Sequence, residues 1–241
     1  MSDTSAVKAL TFDVFGTVVD WRGSIARDLG AFGRKKGLNV DWAEFTDEWR
    51  AAYRPTLNRV IAGELPWARL DDLHRGVLDR LLRQFKIAGL SEAEKDYVNK
   101  VWHRLDPWPD SVPGLTRLKK KFLIATLSNG NVALLANMAK RAGLPWDCVL
   151  SGELFKAYKR DPKVYVGACD MLGLKPPEVI MEAAHGDDLD AARRQGMKTG
   201  YVPRPGEYAP GREPGVKIEG GYDVEAGDFL DLAAKLGAQS S

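Results

Sequence analysis

The feature that most constrains this chain is a regular alternation of short apolar runs and helix-like segments, interrupted once. Residues 8–14 (Lys-Ala-Leu-Thr-Phe-Asp-Val) read as a strand running into a turn at Phe15-Gly16-Thr17. Further apolar runs lie at 122–127, 148–150, 178–182 and 199–202. Helical spacing separates them at 132–142, 162–171 and 189–195, and a short helix is predicted at 229–236. Short apolar strands alternating with helices indicate an α/β chain with a parallel sheet covered on both faces. In such sheets, ligands bind beyond the carboxyl ends of the strands.

Residues 18–105 break the rhythm. Segments 25–36, 42–62, 67–84 and 93–104 all carry helical spacing, with Gly37, Gly63, Pro66 and Gly89 between them. This 88-residue helical block follows the first strand directly and leaves 153 of the 241 residues, an ordinary size for one α/β domain. The expected division is a core of 1–17 and 106–241 with a helical domain of 18–105. Asp106-Pro-Trp-Pro-Asp110 reads as the return crossing. Residues 203–221, rich in Pro and Gly and including Pro214 and Gly215, read as a long loop. Such a loop either borders a site or is a surface excursion.

Composition narrows the function classes. Thirty-five Lys and Arg oppose 33 Asp and Glu, for a net charge of +2. That balance argues against a nucleic-acid binder, which usually concentrates a basic excess on one face. Lys119-Lys120-Lys121 reads as a solvated helix end. Cys148 and Cys169 lack the company of a disulfide framework or zinc site, and are expected to be buried thiols. Met1 to Val7 carries no apolar signal core, and no apolar stretch approaches the roughly 20 residues of a membrane span. A cytoplasmic setting, with no membrane or nucleic-acid partner, is the expectation.

The chemistry gathers at the strand ends. Asp13 closes the first strand, where a carboxylate either caps the turn or faces a ligand. Ser128 and Asn129 follow the second core strand, Lys159 lies in the loop beyond Leu150, and Asp187 and Asp188 follow the fourth. A carboxylate with a neighbouring cation suits covalent carboxylate catalysis.

These segments resemble the four motifs of the haloacid dehalogenase superfamily, in order: Phe12-Asp13-Val14-Phe15-Gly16-Thr17, Leu127-Ser128-Asn129-Gly130, Tyr158-Lys159-Arg160-Asp161-Pro162 with Val164-Tyr165, and Gly186-Asp187-Asp188-Leu189-Asp190. The resemblance implies a Rossmann-like core with an inserted helical cap. Phosphatases of the superfamily carry a second Asp two residues after the nucleophile. Phe15 stands there, and an aromatic at that position is the pattern of the L-2-haloacid dehalogenases, which use no metal or cofactor. The resemblance then implies that Asp13 attacks the halogen-bearing carbon and that water hydrolyses the resulting ester. Thr17 would hold Asp13, Lys159 would offset its charge, and Asp188 would position Lys159 and the water. Ser128 would bind the substrate carboxylate, Tyr165 would support the site, and Arg50 in the cap would meet substrate or halide.

Several roles stay open at this level. Asn129 is a halide donor or a helix cap, and Tyr165 a site or core residue. Asp187 suits a turn or supporting carboxylate. Ala183-Ala184-His185 replaces the Ser-Ser-Asn run of better-known relatives, and Arg160 replaces a Pro. His185 could then donate to water, substrate or halide, or be structural. Haloacetates, fluoroacetate included, and L-2-halopropionates are the expected substrates. The alternatives are a magnesium-dependent phosphatase of the superfamily and a non-catalytic ligand-binding member. Similar enzymes are commonly dimers, so a homodimer is also an expectation.

Overall fold

Strand β1 (Ala9–Phe12) is buried at all four positions, as a strand covered on both faces must be. In the computed structural model, which describes residues 3–213 and 220–238, it lies near the middle of a six-stranded sheet. The other members are β4 (Leu123–Ser128), β5 (Cys148–Ser151), β6 (Val179–Ala183), β7 (Lys198–Tyr201) and β8 (Val224–Glu225). Their order is β5-β4-β1-β6-β7-β8, and every neighbouring pair is parallel. Phe12 is in register with Thr126 and Glu182, so the chain beyond β1, β4 and β6 emerges at one edge. Leu10 and Phe12 enter one apolar cluster, whereas Ala9 enters the other on the opposite face. The first cluster continues without a break into Trp21, Trp49 and Trp102 of the helical block.

That block leaves the sheet through β2 (Val19–Asp20) and returns through β3 (Asp106–Pro107). The two strands pair antiparallel, Val19 against Pro107 and Asp20 against Asp106. Between them lie α1 (Trp21–Lys36), α2 (Trp42–Ala51), α3 (Tyr53–Ile61), α4 (Leu70–Gln84) and α5 (Glu92–Asn99). The core helices are α6 (Ser111–Lys119), α7 (Val132–Ala142), α8 (Gly152–Phe155), α9 (Pro162–Leu172), α10 (Gly186–Arg193) and α11 (Phe229–Lys235).

The structure corrects several sequence expectations. Residues 42–62 form two helices, not one, because Pro55 cannot donate to the Ala51 carbonyl and its ring crowds it, so the helix breaks at Ala52. The segment 93–104 is α-helical only to Asn99 and then tightens into a 3₁₀ turn over Lys100–His103. Helix α10 begins at Gly186, ahead of Leu189. Helix α6 was obscured by Pro113 and Gly114, although Pro is tolerated in a first turn. Cys169 is buried, but Cys148 is only half-buried. Pro214 and Gly215 of the predicted loop lie outside the described residues. Among the described residues, no helix is long and apolar enough to cross a membrane.

Candidate active site

The strand ends bring five of the predicted side chains into direct contact. Asp13, one residue past β1, accepts from Lys159 Nζ on Oδ1 at 3.0 Å and from Thr17 Oγ1 on Oδ2 at 2.8 Å. Thr17 Oγ1 itself accepts from the Ala184 amide at 3.0 Å, which leaves its proton for Asp13. Lys159 also donates to the Leu127 carbonyl at 2.7 Å and forms an ion pair with Asp188 at 2.5 Å. The ammonium is thus held by two carboxylates and a carbonyl. Asp188 accepts from Tyr165 Oη at 2.6 Å.

Burial and charge act in opposition here. Burial alone would raise the Asp13 carboxyl, but Lys159 and then His185 outweigh it and hold it below the ordinary carboxylate range. Burial dominates at Asp188, whose pKa is raised despite Lys159. Lys159 is buried too, yet Asp13 and Asp188 keep its pKa above the usual value. Lys159 is therefore a fixed cation between two carboxylates.

The helical block and the loop after β7 supply the opposite wall. The Arg50 guanidinium of α2 stacks over Trp21 at 5.2 Å and Tyr53 at 4.7 Å from the ring centroids. Burial opposes its charge, but Tyr208, Glu207 and Tyr53 overcome that opposition and raise its pKa. Behind this wall His74 stacks on Trp102 at 4.4 Å, and burial pushes its pKa down to about 3. His74 is therefore neutral, and Arg50 keeps the positive charge.

Glu207 was not singled out from the sequence. It is only 4% exposed and accepts from Trp21 Nε1 at 3.1 Å. It also meets His185 Nε2 at 2.9 Å and Arg50 at 3.7 Å. The other ring nitrogen of His185, Nδ1, lies 3.1 Å from Asp13 Oδ2. Burial would discharge His185, but Glu207 and Asp13 together raise its pKa well above the ordinary range. The chain is anchored on either side of Glu207, at Arg204 and Arg212. Arg204 donates to the Thr17 carbonyl and grips Asp110, and Arg212 reaches Glu44 and Glu48 of α2. The only sequence signal was the Pro- and Gly-rich loop itself.

Asp13, Phe15, Arg50, Tyr53, Ser128 and Asn129 line a small cavity of about 80 Å³, together with Lys159, His185 and Asp188. Ser128 accepts from the Gly130 amide at 3.2 Å. Asn129 is more committed than a free halide donor would be: its amide donates to Tyr53 Oη at 3.0 Å and accepts from the Lys159 backbone at 2.7 Å. Asp187 faces Arg54 at 2.6 Å and Arg160 at 3.4 Å, tying α3 to α10 rather than touching Asp13. Phe15 packs edge-on against Trp102 and is 4% exposed. Among the described residues no group of three or more His, Cys, Asp or Glu is arranged to hold a metal ion.

The model of the haloacid dehalogenase-like hydrolases matches residues 7–196. The chain belongs to that family. The hydrolase superposes on the crystal structure of the L-2-haloacid dehalogenase PA0810 with a TM-score of 0.92 and 46% identity, covering 97% of this chain and all of that one. The defluorinating L-2-haloacid dehalogenase Rha0230 is similar at 43% identity and a TM-score of 0.92, over 96% of this chain and 95% of that one. (S)-2-haloacid dehalogenase 4A of Burkholderia cepacia is 28% identical over 223 residues, which are 85% of this chain and 89% of that protein.

Proposed function

We propose that this hydrolase converts short 2-haloacids, namely haloacetates and L-2-halopropionates, into 2-hydroxy acids and halide through an ester on Asp13. The observation that carries this reading is Phe15. It lines the cavity beside Asp13 at the position where a phosphatase of this family carries its second carboxylate. A phenyl ring can neither protonate a leaving group nor ligate magnesium, but it suits a weakly hydrated carbon-bound halogen. The small volume favours short acids, and the likeness to a defluorinating relative supports fluoroacetate among them.

In this reading Asp13 is the nucleophile and halide leaves with the bonding electrons. Lys159 and Thr17 orient Asp13, and Asp188, its pKa raised by burial, positions and deprotonates the hydrolytic water. Tyr165 fixes Asp188. Ser128 binds the substrate carboxylate, while Arg50 and the Asn129 Nδ2 proton not given to Tyr53 meet the departing halide. Two anions must be brought together, and preorganised positive charge is what that requires. The same reading takes 18–105 as a cap over a core of 1–17 and 106–241, a cytoplasmic setting, and a homodimer.

The test is halide release without added metal from 2-chloropropionate, chloroacetate and fluoroacetate. Release lost in Asp13→Asn is the expected result. Phosphate release from a phosphomonoester only with Mg²⁺ would instead establish a phosphatase.

A further inference from the structure

His185 stands between two carboxylates, with Nδ1 3.1 Å from Asp13 Oδ2 and Nε2 2.9 Å from Glu207 Oε2. A neutral imidazole has one N–H and would turn a lone pair on one of these anions. Both nitrogens therefore donate, and the ring is an imidazolium. The two oxygens of Asp13 are not equivalent. Oδ2 accepts from both Thr17 and His185, which occupies its two lone pairs, whereas Oδ1 accepts only from Lys159 among the described residues. Oδ1 keeps a lone pair for attack, and Oδ2 becomes the carbonyl oxygen of the ester.

We propose that His185 is a further catalytic residue, which with Thr17 forms the oxyanion hole for hydrolysis of the Asp13 ester, and that Glu207 is its positioning residue. The inference rests on the dehalogenase reading above. In the first step Oδ1 bonds to the substrate carbon and halide departs with its electron pair. Water then adds to Cγ, its proton passing to Asp188, and the carbonyl electron pair moves onto Oδ2. Two donors already point at that oxygen, as a preorganised oxyanion hole requires. Collapse re-forms the carbonyl and breaks the Cγ–Oδ1 bond. The leaving 2-hydroxy acid takes the proton from Asp188, and the regenerated Asp13 carboxyl loses one to solvent.

Glu207 has a specific task in this sequence. Esterification removes the negative charge of Asp13, one of the two anions that hold the imidazolium. Glu207 remains, backed by Trp21 Nε1, so the ring keeps both protons when the oxyanion forms. The charged and titratable groups around His185 are Asp13 from the β1 end and Glu207 from the loop. Asp187 lies on its own segment, Tyr201 on β7, Lys159 beyond β5, Arg204, Tyr208 and Glu213 on the loop, and Arg54 and Arg50 on the helical block.

The experiment is single-turnover chemistry with enzyme in excess over L-2-chloropropionate. It follows halide release and, by intact mass, the alkylated protein. Unaltered enzyme, His185→Ala and Glu207→Gln are compared, with circular dichroism as a check on folding. The expected result is that both variants release halide in the first turnover but accumulate the ester. Ester decay should slow on the order of 10²-fold in His185→Ala, the usual effect of losing an oxyanion donor, and roughly tenfold in Glu207→Gln. Glu207→Gln should also acquire an alkaline loss of ester decay near or below pH ~6.5, where an unsupported imidazolium discharges; the unaltered enzyme should show none there. Should His185→Ala fail to fold, that pH profile carries the test alone. Turnover by the unaltered enzyme with no ester accumulation in either variant, or an unchanged pH profile in Glu207→Gln, overturns the inference and leaves the dehalogenase reading standing. No halide release by the unaltered enzyme overturns both.

Discussion

Lys159 and Arg50 are held in opposite ways. Lys159 is enclosed by Asp13, Asp188 and the Leu127 carbonyl at 2.5–3.0 Å. Arg50 lies against the faces of Trp21 and Tyr53, and its carboxylate partner Glu207 stays 3.7 Å away. An aromatic face attracts a cation without neutralising it. Lys159 is therefore a fixed counterion of Asp13, whereas Arg50 is less fully neutralised, as the proposed function requires of a group that meets an arriving or departing anion. On the proposed function, one half of the site serves the protein's own carboxylate and the other the substrate's charge.

The largest effects should come from the strand-end half. Asp13→Asn is expected to lower halide release on the order of 10⁴-fold or more, as loss of a covalent nucleophile does. Lys159→Met should be as damaging to rate and should also weaken the fold by about 3–5 kcal/mol, because two buried carboxylates lose their cation; denaturant unfolding at neutral pH reads that loss. Arg50→Lys should fold nearly normally but lose roughly 10²-fold in kcat/KM, since an ammonium does not reproduce the planar guanidinium between two rings. If Arg50→Lys destabilised the protein as much as Lys159→Met, the contrast between the two cations would be wrong.

A smaller effect tests how the loop is seated. Gly16 has φ +87°, and a Cβ there would stand 2.1 Å from the Glu207 carboxylate. Gly16→Ala should cost about 1–3 kcal/mol from the backbone alone, seen as a lower unfolding midpoint. Pairing it with Glu207→Ala should recover only the part due to the clash.

The mildest prediction concerns a carboxylate beside the site. Glu182 on β6 is fully buried, neither of its oxygens has a hydrogen-bond partner among the described residues, and burial raises its pKa to about 8. The folded state thus binds a proton that the unfolded chain releases near pH 4.5. Stability should fall as pH rises from about 4.5 towards 8, opposite in sign to the contribution of Asp13. Glu182→Gln should flatten that slope in unfolding measurements from pH 5 to 9. An unchanged slope would assign it to other groups.

The strand-end half was legible because its residues sit at fixed offsets from apolar runs, and a parallel register brings those offsets to one edge. Asp13, Ser128, Lys159 and Asp188 are separated by up to 175 residues, yet each follows a strand in the order the sequence implies. The opposite wall had no such ruler. Glu207 sits in a segment without periodicity, and its place depends on Arg204 and Arg212 reaching Asp110 and α2, contacts with no local signature. Arg50 could be proposed from the resemblance, but its stacking between Trp21 and Tyr53 depends on the helix break that Pro55 imposes. Strand β8 has only two residues, too few to establish an alternation.

The pairing of β2 with β3 has a consequence for how such an enzyme could be rebuilt. Residues 21–105 depart and return through backbones hydrogen-bonded side by side, with Cα atoms about 5 Å apart as in any antiparallel pair. The whole helical block is thus a cassette whose two ends plug into one socket. A block of different length or shape could be grafted at Asp20 and Asp106 without altering the spacing of Asp13, Lys159 and Asp188. The exchanged part would carry Trp21, Arg50 and Tyr53 with it, so a graft would renew that wall of the cavity while Asp13 and Lys159 stayed in place.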